Sequence, residues 1–152
     1  MKLDRYELKA GSNLTTFEFI SEGRKGKIVK LIQFQPMNLE GIFNLAFGDK
    51  ILETDGLDDL NVTDNGDAEK VLATVVAAVY AFAENHPDAW VYATGSTSAR
   101  TRLYRMGINK HFVTVRTDFD LMGETQNEWE WYEQGKDYQA FAARRKTSTF
   151  DA

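Results

Sequence analysis

Residues 67–85, DAEKVLATVVAAVYAFAEN, place the strongest constraint on what this chain can become. Val71, Leu72, Val75, Val76, Val79, Phe82 and Ala83 recur at i, i+3 and i+4. That spacing puts them in one broad apolar stripe along a helix, and the stripe needs another layer to cover it. The acids of Asp64–Asp67 supply N-cap candidates and negative charge where the helix dipole favours it. His86-Pro87 closes the helix.

The covering layer is legible upstream. Thr15–Ser21 alternates, with Phe17 and Phe19 on one face and Thr16, Glu18 and Ile20 on the other, as a half-buried strand does. A turn at Glu22–Gly26 leads into Lys27–Gln35, the second strand of a hairpin, and Pro36 ends it because proline donates no ladder hydrogen bond. Gly41–Gly48 reads as a third strand with Phe43, Leu45 and Phe47 on its buried face. Downstream, Trp90–Thr94 is a short strand and Ser98–Met106 a second helix, with Gly107 placed as its left-handed C-cap. Phe112–Phe119 (FVTVRTDF) alternates like a strand, and Met122–Lys136 reads as a connection. Tyr138–Lys146 fits strand or helix, and the turn before it favours a last strand. The expected fold is α+β: a mixed, mostly antiparallel sheet with two main helices, in the order β-β-β-α-β-α-β-β. The strand–helix–strand run calls for at least one parallel pair joined by a right-handed crossover.

Nothing divides the chain. It has 152 residues, two prolines and no Gly/Ser-rich linker, so residues 1–146 read as a single domain and residues 147–152 as a frayed tail. The absence of cysteine excludes disulfides, thiolate metal sites and a cysteine nucleophile. No window approaches the ~18 apolar residues of a membrane span, and the first residues lack a signal-peptide core, so the expectation is a cytoplasmic protein that does not enter a membrane. Charge is unevenly spread. Asp49–Glu69 holds eight acids against Lys50, whereas Lys70–Lys110 holds five bases against two acids. A non-specific nucleic-acid binder would carry a broader basic surface, so nucleic acid is not the expected partner.

Function is expected near the turn at the basic centre, within Ala89–Lys110. Gly95-Ser96-Thr97-Ser98-Ala99-Arg100 takes a strand through small residues into a helix. Unpaired N–H groups at a helix start favour an anion. Ser96, Thr97 and Ser98 offer hydroxyl donors, and Arg100 and Arg102 offer bidentate contacts to phosphate or carboxylate. Gly95, Ser96, Thr97, Ser98, Arg100 and Arg102 are therefore the ligand-binding candidates. The plainer alternative is that Ser96 or Ser98 caps the helix while the arginines are solvated or pair with acids such as Asp49 or Asp67. The turn is not a phosphate loop of the form G-x-x-x-x-G-K-S/T, since the second glycine and the lysine are missing. Arg100 and Tyr104 lie four apart on one helical face, and Arg102 and Arg105 share another. Trp129, Trp131 and Tyr132 form an aromatic cluster of a type that favours interfaces, or else covers a sheet edge.

Two resemblances add expectations. The element order resembles the GCN5-related N-acetyltransferase fold after its first helices, and ARTRLYRMGI, with Ala99, Leu103, Tyr104, Gly107 and Ile108, is similar in spacing to that family's A-x-x-x-Y-x-x-x-G-F helix. The resemblance implies a coenzyme A thioester as cofactor and Tyr104 as general acid toward the departing thiolate. The chain departs from the family at the pyrophosphate loop, where Val62–Asp67 (VTDNGD) keeps one glycine and adds two aspartates, and in having no counterpart of the first two helices. Separately, FEFISEGRKGKI, FNLAFGD, NGDAEKVLATV and GSTSARTRLY resemble a family of small uncharacterised bacterial proteins across nearly the whole chain. That resemblance implies a bacterial origin and leaves mechanism open.

Other chemistry finds little footing. Asp55–Asp67 lacks the D-x-D/N-x-D/N-G calcium pattern, and His86 and His111 stand 25 apart, so no metal site is expected. Neither Ser96 nor Ser98 sits in a G-x-S-x-G elbow. The preferred reading is a non-enzymatic binding or regulatory domain without a cofactor, its partner a protein or a small anionic ligand and its oligomeric state open. The alternatives are an acyl-CoA-dependent N-acyltransferase with a degenerate cofactor loop, and a subunit of a bacterial defence or toxin–antitoxin pair.

Overall fold

A computed structural model describes residues 4–11, 13–58, 64–95 and 98–146. Nine strands and three helices follow one another among these residues. The first five strands are β1 (Lys9–Ala10), β2 (Thr16–Gly23), β3 (Gly26–Pro36), β4 (Ile42–Ile51) and β5 (Gly56–Asp58). Helix α1 (Ala68–Asn85) leads to β6 (Trp90–Ala93), then α2 (Ser98–Lys110) and α3 (Phe112–Asp118). Strands β7 (Phe119–Glu124), β8 (Trp129–Trp131) and β9 (Ala140–Arg145) complete the chain. The strands form one sheet in the order β1-β2-β3-β4-β6-β9-β7-β8, with β5 paired to the far end of β4. Among the described residues only β4 and β6 run parallel, across the α1 crossover, so the α+β fold with a mostly antiparallel mixed sheet stands as the sequence implies.

The alternating apolar residues decide which face carries the helices. Phe17, Phe19, Ile32, Phe34, Leu45, Phe47, Val91, Leu121 and Phe141 all point inward and join Val71, Val75, Ala78 and Phe82 of α1 in one core. Phe82 is fully buried, with its ring stacked 4.3 Å from Phe34, edge-on to Phe43 at 4.9 Å, and 4.4 Å from His86. No helix among the described residues is long and apolar enough to cross a membrane.

Four expectations are corrected. Phe112–Phe119 is not a strand: residues 112–118 form α3, and the strand starts at Phe119. Its residues fit period 2, yet Phe112, Val115 and Phe119 also share a helical face. Burying Val115 and Phe119 under α1 selects the helix and leaves Val113 exposed. Gly107 does not end α2, which runs on to Lys110. It is buried against α1, where an added Cβ would stand 3.1 Å from Leu72 Cδ2, so the glycine serves close helix approach. Met122–Lys136 is not a plain connection, because it contains the end of β7 and all of β8. Helix α3 brings the helices among the described residues to three. Asp67 occupies the N-cap position of α1, but its carboxylate makes no capping bond and instead accepts from the Ser21 and Tyr6 hydroxyls. Tyr138–Lys146 contains a strand, as the turn before it suggests.

Candidate functional site

Helix α2 begins at Ser98, five residues on from the end of β6 at Ala93. Gly95 N–H donates to Thr101 Oγ1 at 3.0 Å, and an added Cβ at Gly95 would collide with the backbone nitrogen of Thr101, so glycine lets β6 meet the helix closely. Ser96 and Thr97 lie outside the described residues. Ser98 is exposed at the start of α2. The four-residue spacing puts Arg100 and Tyr104 on the inward face, each 6 % exposed. Arg102 points outward into an open groove shared with Arg105, Asp137 and Gln139, where Arg105 pairs with Asp137 at 2.6 Å. The expected anion residues are thus divided: Arg100 goes under the helix, and Arg102 stands on its solvent side. Asp49 pairs with Lys30, and neither Asp49 nor Asp67 forms an ion pair with Arg100 or Arg102.

Tyr104 lines an apolar cavity beneath α2. Burial pushes its hydroxyl up to about 12, with Arg100 pulling it back in part. Tyr80 is raised too, by burial first and by its hydrogen bond to Asp118 second. The folded protein therefore holds protons that the unfolded chain releases above the ordinary tyrosine value of 10.0. Stability from Tyr104 is complete below pH 10.0 and declines as pH rises toward about 12, at roughly 1.4 kcal/mol per pH unit. Urea unfolding across this range should show the decline, and Tyr104→Phe should reduce it by the Tyr104 share while Tyr80 keeps its own. An unchanged slope in that variant would contradict the burial of the hydroxyl.

The aromatic cluster is organised by strand register. Adjacent strands align Gln35, Asn44, Tyr92, Ala142, Met122 and Trp131 in one row across the sheet. This row lies on the face opposite the helices, and none of its members joins the core. Trp129, one strand position from Glu130, falls on the same side and meets the Tyr92 ring edge-on at 5.9 Å. Trp131 is 65 % exposed and Trp129 38 %. Arg144 lies over Trp90 at 4.7 Å and pairs with Asp120 at 3.4 Å, while the Glu124 carboxylate, on the strand position paired with Trp129, acts on Tyr92. Tyr132 does not join this surface: it is buried, and its hydroxyl donates to Asn109 at 2.6 Å.

Edge strand β8 is braced from behind. Glu130 points to the inner side, where its carboxylate accepts from Lys136 Nζ at 2.6 Å and the Tyr138 hydroxyl at 2.8 Å. The Lys136 contact, then the Tyr138 one, holds the Glu130 carboxyl below its usual range. The Tyr138 ring in turn lies over Gly123 of β7, where a Cβ would come within 2.5 Å. The two tryptophans are therefore presented on a fixed edge.

A family model matches residues 2–146, which is nearly the whole described fold. The chain belongs to DUF6934, a family of unknown function. No curated protein and no solved structure matches it. The DUF6934 match covers both surfaces described above, the α2 groove and the aromatic row. Sequence reading singled out Trp129 and Trp131 but missed Tyr92, which only strand pairing brings beside them. It also missed the cleft lined by Arg5, Tyr80, Glu84, His111 and Asp118, where the buried Nε2 of His111 has no hydrogen-bond partner. Among the described residues no group of three or more acids or histidines is arranged to hold a metal ion.

Proposed function

We propose that this protein is a non-enzymatic binding domain that holds a protein partner on the outer face of its sheet, through Tyr92, Trp129 and Trp131. The observation that carries the reading is Trp131, 65 % exposed on an edge strand that Glu130 ties to Tyr138, with the Tyr92–Trp129 ring pair on the same face. Exposing such area to water is costly, and buried tryptophan and tyrosine anchors dominate binding energy at protein interfaces.

The test is affinity capture from native lysate with mass-spectrometric identification, using the intact chain and a Trp129→Ala/Trp131→Ala variant, followed by titration with the purified partner. The variant should keep its circular dichroism, because Trp131 is 65 % exposed and neither tryptophan belongs to the core cluster. It should bind the identified partner at least about tenfold more weakly. Light scattering that showed a dimer dissolved by the same substitutions would identify the partner as a second copy. Equal affinity for the intact chain and the variant would overturn the reading.

Acyl transfer from a coenzyme A thioester is the second reading. One observation favours it: the parallel strands β4 and β6 pair from Ile42–Trp90 only as far as Asn44–Tyr92, and Tyr104 lines the cavity with Leu45 and Ala93 just beyond. Against it, the Asp67 carboxylate occupies the start of α1, where negative charge opposes a pyrophosphate. Calorimetry with acetyl-CoA separates the two, and tight binding abolished by Tyr104→Phe would establish the second.

A further inference from the structure

Strand β8 ends the sheet, and the phase of its ladder fixes which of its main-chain groups face outward. Hydrogen-bonded and non-hydrogen-bonded residue pairs alternate along an antiparallel pair. Tyr132 N–H donates to Leu121 C=O, and Thr125 N–H donates to Glu128 C=O. The Gly123–Glu130 pair lies midway between these and belongs to the bonded set, whereas Met122–Trp131 and Glu124–Trp129 do not. The N–H and C=O groups of Trp129 and Trp131 therefore point away from β7, and among the described residues no strand lies beyond them. The two residues with exposed indoles thus also carry the open main-chain groups, and such an edge is a template for a further strand.

Charge along this edge is polarised. Glu128 stands at the start of β8, and at its other end Arg116 and Lys146 border a hollow with Trp131 and Tyr132. Neither Glu128 nor Arg116 forms an ion pair among the described residues. We propose that the edge pairs with a second copy of itself, two β8 strands meeting antiparallel about a two-fold axis at Glu130. The inference rests on the aromatic-face reading above and names its partner. In this register Trp129 of each copy lies opposite Trp131 of the other, and both positions have the outward main-chain groups that a ladder needs. The indoles fall on one face as cross-strand aromatic pairs. Glu128 of each copy falls opposite Tyr132 of the other, beside Arg116 and Lys146, so acid meets base at both ends. Glu130 faces its own copy, and Lys136 at 2.6 Å already meets its charge.

A three-residue strand gives a small interface of the weak class, so the test is a light-scattering series of the full chain from about 1 µM to about 1 mM. The chain should pass from monomer to dimer. With the dimer, the Trp129 and Trp131 amides should exchange at least about tenfold more slowly, while that of Glu130, already bonded to β7, changes little. Glu128→Lys and Arg116→Glu should each weaken the dimer roughly three- to tenfold, and the two together should restore most of its affinity. A chain that stays monomeric throughout, a dimer whose Trp129 and Trp131 amides exchange as in the monomer, or charge reversals without effect would each overturn the inference. A monomer that still captures another protein through its tryptophans would leave the aromatic-face reading standing, whereas capture insensitive to the tryptophans would remove that reading too.

Discussion

Replacing Phe82 by alanine is expected to lower the free energy of unfolding by about 3–5 kcal/mol, the range for deleting a fully buried aromatic side chain. Phe82 is 0 % exposed and joins α1 to the sheet through Phe34 and Phe43, and it also stacks on His86 at the helix end. The substitution removes the contact surface of three rings at once and leaves a void that the stacked neighbours fill only in part. Denaturant unfolding checks the magnitude. A loss under about 1 kcal/mol would mean that α1 does not dock on the sheet as described, because a solvated phenylalanine would cost little. Phe82→Leu retains much of the apolar volume and should recover a large part of the loss.

Asp67→Ala is expected to cost about 2–4 kcal/mol, because hydrogen bonds to a charged group contribute about 1.5–3 kcal/mol each and two are lost together. The Asp67 carboxylate accepts from the fully buried Ser21 hydroxyl and from the Tyr6 hydroxyl, both at 2.5 Å. Tyr6 stacks on Phe19 at 5.5 Å, and its N–H donates to Thr74 Oγ1 at 2.9 Å. Asp67 thus ties the segment before β1, strand β2 and the start of α1 to one point. Burial first and the Asp67 bond second raise the Tyr6 hydroxyl, so its titration should move down toward the ordinary value in the variant. Faster amide exchange at Tyr6 and Thr74 should accompany the loss. A variant as stable as the parent, with Tyr6 titrating as before, would show that the carboxylate does not hold these elements together.

Both residues show how far sequence patterning reaches. Phe82 is evident from the chain alone, since the i, i+3, i+4 stripe demands a buried side chain there. The role of Asp67 is not evident. Its position before an apolar helical run calls for a cap, and its actual partners lie 46 and 61 residues away. The candidate sites divide in the same way. Spacing alone puts Arg100 and Tyr104 on one helical face. It does not say that this face turns inward, because α2 has too few strongly apolar residues to mark its buried side.

The sequence by itself determined the α+β class, the β2–β3 hairpin, strand β4 and the central helix, because each of these is written in a local repeat of 2 or 3.6 residues. It also singled out Trp129 and Trp131 as part of an aromatic cluster that forms an interface or covers a sheet edge. Tertiary structure alone decided the rest. Residues 112–118 satisfied both periods, and packing under α1 chose the helix. Gly107 became a contact with Leu72 because two helices approach closely there. The aromatic row and the central cavity are assembled from strands and helices far apart in the chain. Pairing register and helix docking create both, and no local pattern records either.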